Sequence, residues 1–153
     1  MSPEELQRYL HQHIPLSGAM QVTVNRASPA GVVLSAPLEP NINHRETVFG
    51  GSASALAILA AWSLLHLRLL DEGIAARVVI RRNTMEYEAP IHGRFSATSL
   101  PPGPGDWVRF LRMFERKGKA RIELSSVLGY SDRIVGRMNG EFVALGATDV
   151  TDA

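Results

Sequence analysis

The sequence contains no cysteine among its 153 residues. This absence excludes disulfides, thiolate nucleophiles, iron–sulfur clusters and cysteine-based zinc sites, and no acid–histidine spacing indicates another kind of metal site. An excess of charge is also missing, since 16 basic residues face 15 acidic ones and the formal net charge is +1. Such a balance does not indicate a nucleic-acid partner. We therefore expect neither nucleic-acid binding nor a metal.

A targeting signal is absent from the first residues, Met-Ser-Pro-Glu-Glu-Leu, which have no basic n-region and no apolar h-region. A cysteine-free chain fits a reducing compartment, so we expect a cytoplasmic protein. The length and the 45% hydrophobic content are those of one globular domain, which we assign to residues 1–153.

The N-terminal third predicts a short helix and a hairpin. Ser2, Pro3 and Glu5 form a capping-box pattern, and the helix should stop before Pro15. We expect this helix, within residues 1–14, to be a brace or lid on the main body. Alternating polar and apolar residues over 20–26 and an apolar run over 32–36 predict two strands joined by a turn.

The stretch from Val48 to Leu67 has no formally charged residue and is rich in strong helix formers. Its length approaches the roughly 20 apolar residues that cross a membrane. Two glycines and three serines dilute it, no second apolar span exists, and strand-like segments flank it. We favour a helix that is apolar all round because a sheet wraps it, and we expect no membrane span.

The remaining segments predict an α+β fold. Strands are expected over 77–89, 94–100, 120–128 and 134–145, with a second helix capped by Asp106 and ended by Gly118. The tail after Gly146 is short and polar, and we expect it to fray. One antiparallel sheet curled around one long central helix satisfies this order of elements.

Three motifs in that order resemble the hot-dog fold of acyl-thioester enzymes. They are Asn-His-Arg-Glu-Thr-Val-Phe-Gly-Gly over 43–51, Tyr-Glu-Ala-Pro-Ile-His-Gly over 87–93, and the glycine-punctuated closing hairpin from Lys117 onward. The chain is most similar to the small thioesterase domain of the YiiD C-terminal type. This resemblance implies thioester hydrolysis in fatty acid metabolism, with acyl-CoA or acyl carrier protein as the substrate. Coenzyme A or phosphopantetheine would then belong to the substrate, and no separate cofactor is expected.

The resemblance also implies a homodimer or a dimer of dimers, with sheets joined edge to edge and sites between subunits. An isolated curled sheet leaves strand edges to cover, which agrees with such an assembly.

The glycine pair Gly50-Gly51 would open the central helix, where free backbone amides and the helix dipole favour negative charge. The amide of Gly51 or Ser52 could then hold the oxyanion formed from a thioester. The alternative is that the pair only permits tight packing of helix on sheet. Ser52 and Ser54 lack the flanking pattern of a nucleophile elbow, so we interpret them as helix-start hydroxyls.

The base that activates water is not identified by the sequence. In phenylacetyl-CoA-type thioesterases a carboxylate lies on the central helix, and aligning the glycine pairs puts Ile58 at that position. The preceding loop offers Asn43 to position water or the carbonyl, and His44 or Glu46 as the base. The alternatives are that Asn43 is a turn residue, that His44 is a loop histidine, and that Glu46 is either a solvated charge or a partner of Arg45. Three further residues are assigned to substrate binding, namely Thr47, Phe49 and Gly50.

Basic residues form two candidate rims for the phosphates of coenzyme A or for an acidic carrier protein. We assign substrate binding to four of them: Arg81, Arg82, Arg116 and Lys117. The alternative is a solvated charged face. Two other functions also stay open: a catalytically silent acyl-thioester-binding or regulatory module, which Ile58 favours, and a hot-dog hydratase or dehydratase that uses His44.

Overall fold

The computed structural model describes residues 1–146; the predicted fraying of the tail falls on residues 147–153, outside the described residues. The elements in chain order are α1 (Pro3–His13), α2 (Pro15–Ala19), β1 (Thr23–Ser28), β2 (Gly31–Ala36), a 3-10 turn (Glu39–Asn41), α3 (Gly50–Asp71), β3 (Ala76–Tyr87), β4 (Phe95–Ser99), α4 (Pro104–Lys117), β5 (Lys119–Tyr130) and β6 (Arg133–Gly146).

The strands form one antiparallel sheet in the order β1-β2-β4-β5-β6-β3. Ser131 and Asp132 join β5 to β6 with φ angles of 53° and 60°, as a tight hairpin turn requires. The sheet curls around α3, which confirms the predicted hot-dog architecture. Strand β3 lies at one edge, and most of its 12 residues are exposed.

Helix α3 supplies the centre of the core. Eleven of its 22 residues are buried, among them Leu56, Leu64 and Leu65 with no exposed surface. By length and composition the helix could cross a membrane, but 61% of its most apolar 18-residue stretch is buried inside the domain. It is the core helix of this fold, in line with the prediction from its uncharged sequence.

Helix α1 begins as its capping box predicts. The Ser2 hydroxyl accepts a hydrogen bond from the Glu5 amide at 3.1 Å, and the Glu5 carboxylate accepts one from the Ser2 amide at 2.9 Å. Leu6 and Leu10 are fully buried, which packs α1 against the main body. The sequence did not predict α2, which starts at Pro15 because proline is favoured in the first helical position.

The start of α4 corrects a prediction. The helix begins at Pro104 after Gly103, so Asp106 is not its cap but a residue of its first turn, paired with Arg109. Pro104 supplies a φ suited to the first helical position, and no side chain caps the helix. The strand limits also differ by up to three residues; for example, β1 begins at Thr23 and not at residue 20, and β3 ends at Tyr87 and not at residue 89.

Helix α4 covers the C-terminal end of α3. The Arg68 guanidinium lies 4.4 Å from the centre of a Trp107 ring, and the Trp107 indole donates a hydrogen bond to the Glu72 carboxylate at 3.4 Å. Trp107 and Phe110 are buried at this contact. This end of the core helix is therefore closed by side chains of its own chain.

Candidate active site at the start of the central helix

Helix α3 begins without a cap. Phe49 is the N-cap residue, no side chain bonds to the first amides, and the first turn contains no acid. The first intrahelical bond runs from the Ala53 amide to the Phe49 carbonyl at 3.1 Å, so the amides of Gly51 and Ser52 have no intrahelical acceptor. With the helix dipole, these amides form a positive end suited to an oxyanion or another anion.

Two aromatic rings lie against the glycine pair. A Cβ on Gly50 would lie 3.5 Å from the Tyr87 ring, and the Tyr87 hydroxyl donates to the Gly50 carbonyl at 3.1 Å. A Cβ on Gly51 would clash with the ring of Phe49. Close packing at the pair is therefore real, but its partners are two exposed rings, and the helix end itself stays accessible.

The loop before the helix is organised by Asn43. Its side-chain oxygen accepts hydrogen bonds from the Arg45 amide at 2.9 Å and the Thr47 amide at 3.1 Å, and its amide donates to the Thr47 hydroxyl at 2.8 Å. The Asn43 and Thr47 side chains thus hold the shape of the loop, with Asn43 bonded to the backbone two residues on as in an Asx-turn. A direct role of either residue toward substrate stays a prediction.

His44 and Glu46 project from the same loop into solvent. Glu46 has a φ of 63°, a left-handed conformation that is uncommon outside glycine. Within residues 1–146, neither side chain makes a salt bridge, so the structure does not contain the alternative pairing of Glu46 with Arg45. Both side chains lie near the helix start, and among the described residues neither forms an ion pair that would fix it.

A cleft of about 340 Å³ adjoins the first turn of α3. It is lined by Val48, Gly50, Ala53, Tyr87, Glu88, Ala89, Pro90, Ile91, Leu128 and Val135. The ionisable side chains among them are Tyr87 and Glu88, and the Glu88 carboxylate is held 2.9 Å from the Arg137 guanidinium. Both residues belong to a motif in the sequence, but the sequence assigned them no role because at least 36 positions separate them from the glycine pair.

Ile58 lies two turns into α3 and lines a second cavity, of about 250 Å³, between α2 and α3. No acid occurs on α3 before Asp71. Position 58, where the resemblance implies a carboxylate, therefore has an apolar side chain in apolar surroundings. Among residues 1–146 no group of acids and histidines could hold a metal ion.

The predicted basic residues are not gathered at the helix start. Lys119, next to Arg116 and Lys117, pairs in register with Leu145, whereas Tyr87 pairs with Gly136. At about 3.3 Å per residue, Leu145 and Gly136 lie roughly 30 Å apart along β6. Arg116 and Lys117 are therefore far from the helix start, next to which Tyr87 lies.

Strand β3 carries the other predicted cations. Arg81 makes an ion pair with Glu141 at 2.8 Å, and Arg121 approaches the same carboxylate at 3.4 Å. The Arg81 hydrogen bond lowers the pKa of Glu141 below its usual value, and the charges of Arg81, Arg121 and Arg82 act in the same direction. Arg82 is exposed beside this group.

Solved structures of similar proteins share this fold. A protein of unknown function from Chlorobaculum tepidum TLS is 31% identical, with a TM-score of 0.87, over 95% of this chain and 97% of that one. A "putative thioesterase" from Shewanella oneidensis is 24% identical, with a TM-score of 0.84, over 94% and 96%. A thioesterase from Haemophilus influenzae is 12% identical, with a TM-score of 0.75, over 95% and 92%.

The sequence itself matches a thioesterase family over almost its whole length. Residues 3–146 match the family described as "Putative thioesterase (yiiD_Cterm)". That range contains both helix α1 and the complete sheet, so the match extends to all the elements that surround the helix start. The uncapped glycine pair, the adjoining cleft and this match agree, and the chain belongs to the YiiD C-terminal thioesterase family.

Proposed function

We propose that this protein hydrolyses an acyl thioester at the start of α3, giving a carboxylic acid and a thiol. The observation that carries the proposal is the uncapped helix start, whose first turn lines an open cleft with Gly50 and Ala53. Membership of a thioesterase family supports the same reaction class. The reaction would take place in the cytoplasm, on thioesters of fatty acid metabolism.

The proposed reaction begins with the thioester carbonyl oxygen at the Gly51 and Ser52 amides. Water adds to the carbonyl carbon while a base takes its proton, and the negative charge that develops on the carbonyl oxygen is held by the two amides. Collapse of this intermediate breaks the carbon–sulfur bond, and the thiolate leaves and takes a proton. Backbone donors suit this task because they need no reorganisation as charge develops.

Three side chains are candidates for the base. His44 and Glu46 belong to the loop that leads into Gly50, and the structure adds Glu88, which lines the cleft together with Gly50. Glu88 differs from the loop residues in one respect: the Arg137 guanidinium holds its carboxylate in place, whereas the loop side chains have no such partner. A fixed carboxylate in a cleft that the first helical turn also lines is the better arrangement for orienting a water molecule.

Assembly as a homodimer, or as a dimer of dimers, would complete this site. Strand β3 is a long edge with free backbone groups on one side, and edges of this kind pair or are covered. Antiparallel pairing of two β3 edges would bring the first residues of one strand next to the last residues of the other. The basic residues Arg116 and Lys117 of one subunit would then approach the helix start of its partner, where the phosphates of acyl-CoA or an acidic acyl carrier protein would bind.

The experiment measures the release of thiol from a panel of acyl-CoA thioesters by wild type and by single variants. We expect one of Glu46→Gln, His44→Asn and Glu88→Gln to lose about 10²- to 10⁴-fold in kcat, as removal of a general base does. Glu115→Gln, an exposed acid on α4, is the matched control and should keep full activity. Full activity in all three variants would discard these assignments.

A silent acyl-thioester-binding or regulatory module is the second candidate, and the apolar surroundings of Ile58 favour it. Saturable binding of acyl-CoA without thiol release from any thioester would establish this function and reject hydrolysis. Hydration of an enoyl thioester with His44 as the base is a third reaction, detectable as loss of the conjugated enoyl absorbance in the same panel.

A further inference from the structure

The cavity between α2 and α3 is an apolar groove. It is lined by Ile14, Leu16, Ser17, Met20, Ala55, Ile58, Leu59 and Trp62. Its two polar side-chain groups are already bonded to carbonyl groups of the chain, the Ser17 hydroxyl to that of Ile14 at 2.7 Å and the Trp62 indole to that of Val78 at 2.8 Å. The groove therefore offers nothing to a polar ligand and suits a hydrocarbon.

The groove continues the helix face on which Gly51 lies. Gly51, Ala55, Ile58 and Trp62 follow one another at spacings of four, three and four, which aligns them along one side of α3. At 1.5 Å per residue this line is about 16 Å long. The Phe49 ring lies over Gly51 at one end, and at the other end Trp62 stacks on His66 and Tyr9.

We propose that this groove binds the acyl chain of the thioester, and that Ala55 and Ile58 restrict it to unbranched chains of medium length. This inference rests on the proposed function, because a carbonyl held at Gly51 directs its chain along the same helix face. An extended chain advances about 1.2 Å per bond, so the groove accepts roughly eight to twelve carbons before it reaches the aromatic stack.

An acyl chain fits this surface better than a second protein chain does. The groove is a depression of about 250 Å³ lined by eight residues, whereas a stable protein interface takes about 20–30 residues from each partner. The exposed side chains at its rim are also few, with Leu16 59% exposed and Phe49 57% exposed at the Gly51 end. Each methylene that enters the groove should raise kcat/KM about fourfold until the groove is full.

The test fills the groove and measures chain-length preference. Ala55→Leu adds apolar bulk to its floor, and we expect the ratio of kcat/KM for octanoyl-CoA to that for butyryl-CoA to fall at least tenfold. Ala75→Leu makes the same change at an exposed loop position beyond the other end of α3, and its ratio should equal that of wild type. An unchanged ratio in Ala55→Leu, with hydrolysis retained, overturns the groove assignment but leaves the proposed function standing.

A second measurement does not depend on catalysis. Trp62 and Trp107 are the two tryptophans, and only Trp62 lines the groove. Titration with octanoic acid should change the tryptophan emission of wild type, whereas Trp62→Phe should give no change and Ala55→Leu should require at least tenfold more ligand. This result would support acyl-chain binding in the groove even if no thioester were hydrolysed.

Two results contradict the proposal in this second measurement. One is an identical titration of wild type and Ala55→Leu. The other is a change of oligomeric state in Ala55→Leu, measured by light scattering, without a change in octanoic acid binding, which would identify the groove as an interface between two copies of this chain.

Discussion

The two ends of the central helix are built in opposite ways. At its start Phe49 leaves the first amides uncapped, and the rings next to the glycine pair are exposed. At its end Trp107 covers Arg68 and Glu72, and Gly73 turns the chain with a φ of 71°. A domain that only needed stability would satisfy both ends. The difference supports the proposal that the open end carries the chemistry, while the closed end contributes to stability.

Breaking the closed end should have the largest effect on stability. Trp107→Ala removes a ring that is 6% exposed, and we expect the free energy of unfolding to fall by about 3–5 kcal/mol because an unfilled cavity remains. Denaturant unfolding measures the loss. Val108→Ala, at the exposed neighbouring position, should change stability by less than about 0.5 kcal/mol.

The same two variants also test whether the two ends of α3 have separate roles. Trp107→Ala should keep the kcat of wild type per folded molecule, because the ring lies at the far end of the helix from the cleft. A large fall in kcat at a temperature where the variant is fully folded would show that the two ends do not have separate roles.

Breaking the open end should affect catalysis more than stability. Ser52→Pro removes one of the two proposed oxyanion donors, and proline is tolerated in the first turn of a helix because its missing amide has no intrahelical partner. We expect kcat to fall about 10²- to 10³-fold, the usual cost of one lost donor. The measurement is steady-state thiol release, with circular dichroism to verify that α3 is intact.

Ser52→Ala is the matched control for this change, since it keeps the amide and removes only the hydroxyl. Activity close to that of wild type is expected. If Ser52→Ala were inactive instead, the hydroxyl and not the backbone would be the reacting group.

A smaller effect on stability is expected on the side of α3 that Tyr9 of α1 covers, where His66 stacks on Tyr9 and Trp62 with ring centres 4.9 and 5.0 Å away. Burial lowers the pKa of His66 below its ordinary value of 6.5, and its Nε2 atom is buried without a partner. The unfolded chain then binds the proton more tightly than the folded one. Stability is therefore complete above pH 6.5 and should decline as the pH falls through and below that value.

Thermal unfolding at pH 7.5 and pH 5.5 measures this dependence. His66→Phe keeps an aromatic ring in the stack and removes the titration, so its melting temperature should fall less than that of wild type over the same interval. An equal fall in both proteins would assign the pH dependence to other groups.

The elements of the fold were largely predictable because their signals are local. Ser2 and Glu5 predicted the start of α1, and the uncharged run from Val48 predicted the core helix. Asp106 misled because an acid near a helix start resembles a cap, and only the structure reveals that Pro104 opens α4 and that Asp106 pairs with Arg109. Helix α2 was missed because a helix of five residues that begins with a proline carries too weak a pattern.

Only the part of the candidate site that is contiguous in the sequence was predictable. The glycine pair and the preceding loop are contiguous, so Gly51, Ser52 and Glu46 could be proposed together. Glu88 and Tyr87 reach the same place because β3 ends beside the helix start, a consequence of strand pairing that no local pattern contains.

The order of polar and apolar residues by itself determined that one uncharged helix lies inside one antiparallel sheet, because burial of apolar surface requires it. It also determined that the helix opens with two glycines. Only the tertiary structure decided which side chains surround that opening, that Arg116 and Lys117 lie at the opposite end of the sheet, and that Ile58 belongs to an apolar groove. These are contacts between distant segments, and their distances depend on strand register and helix packing.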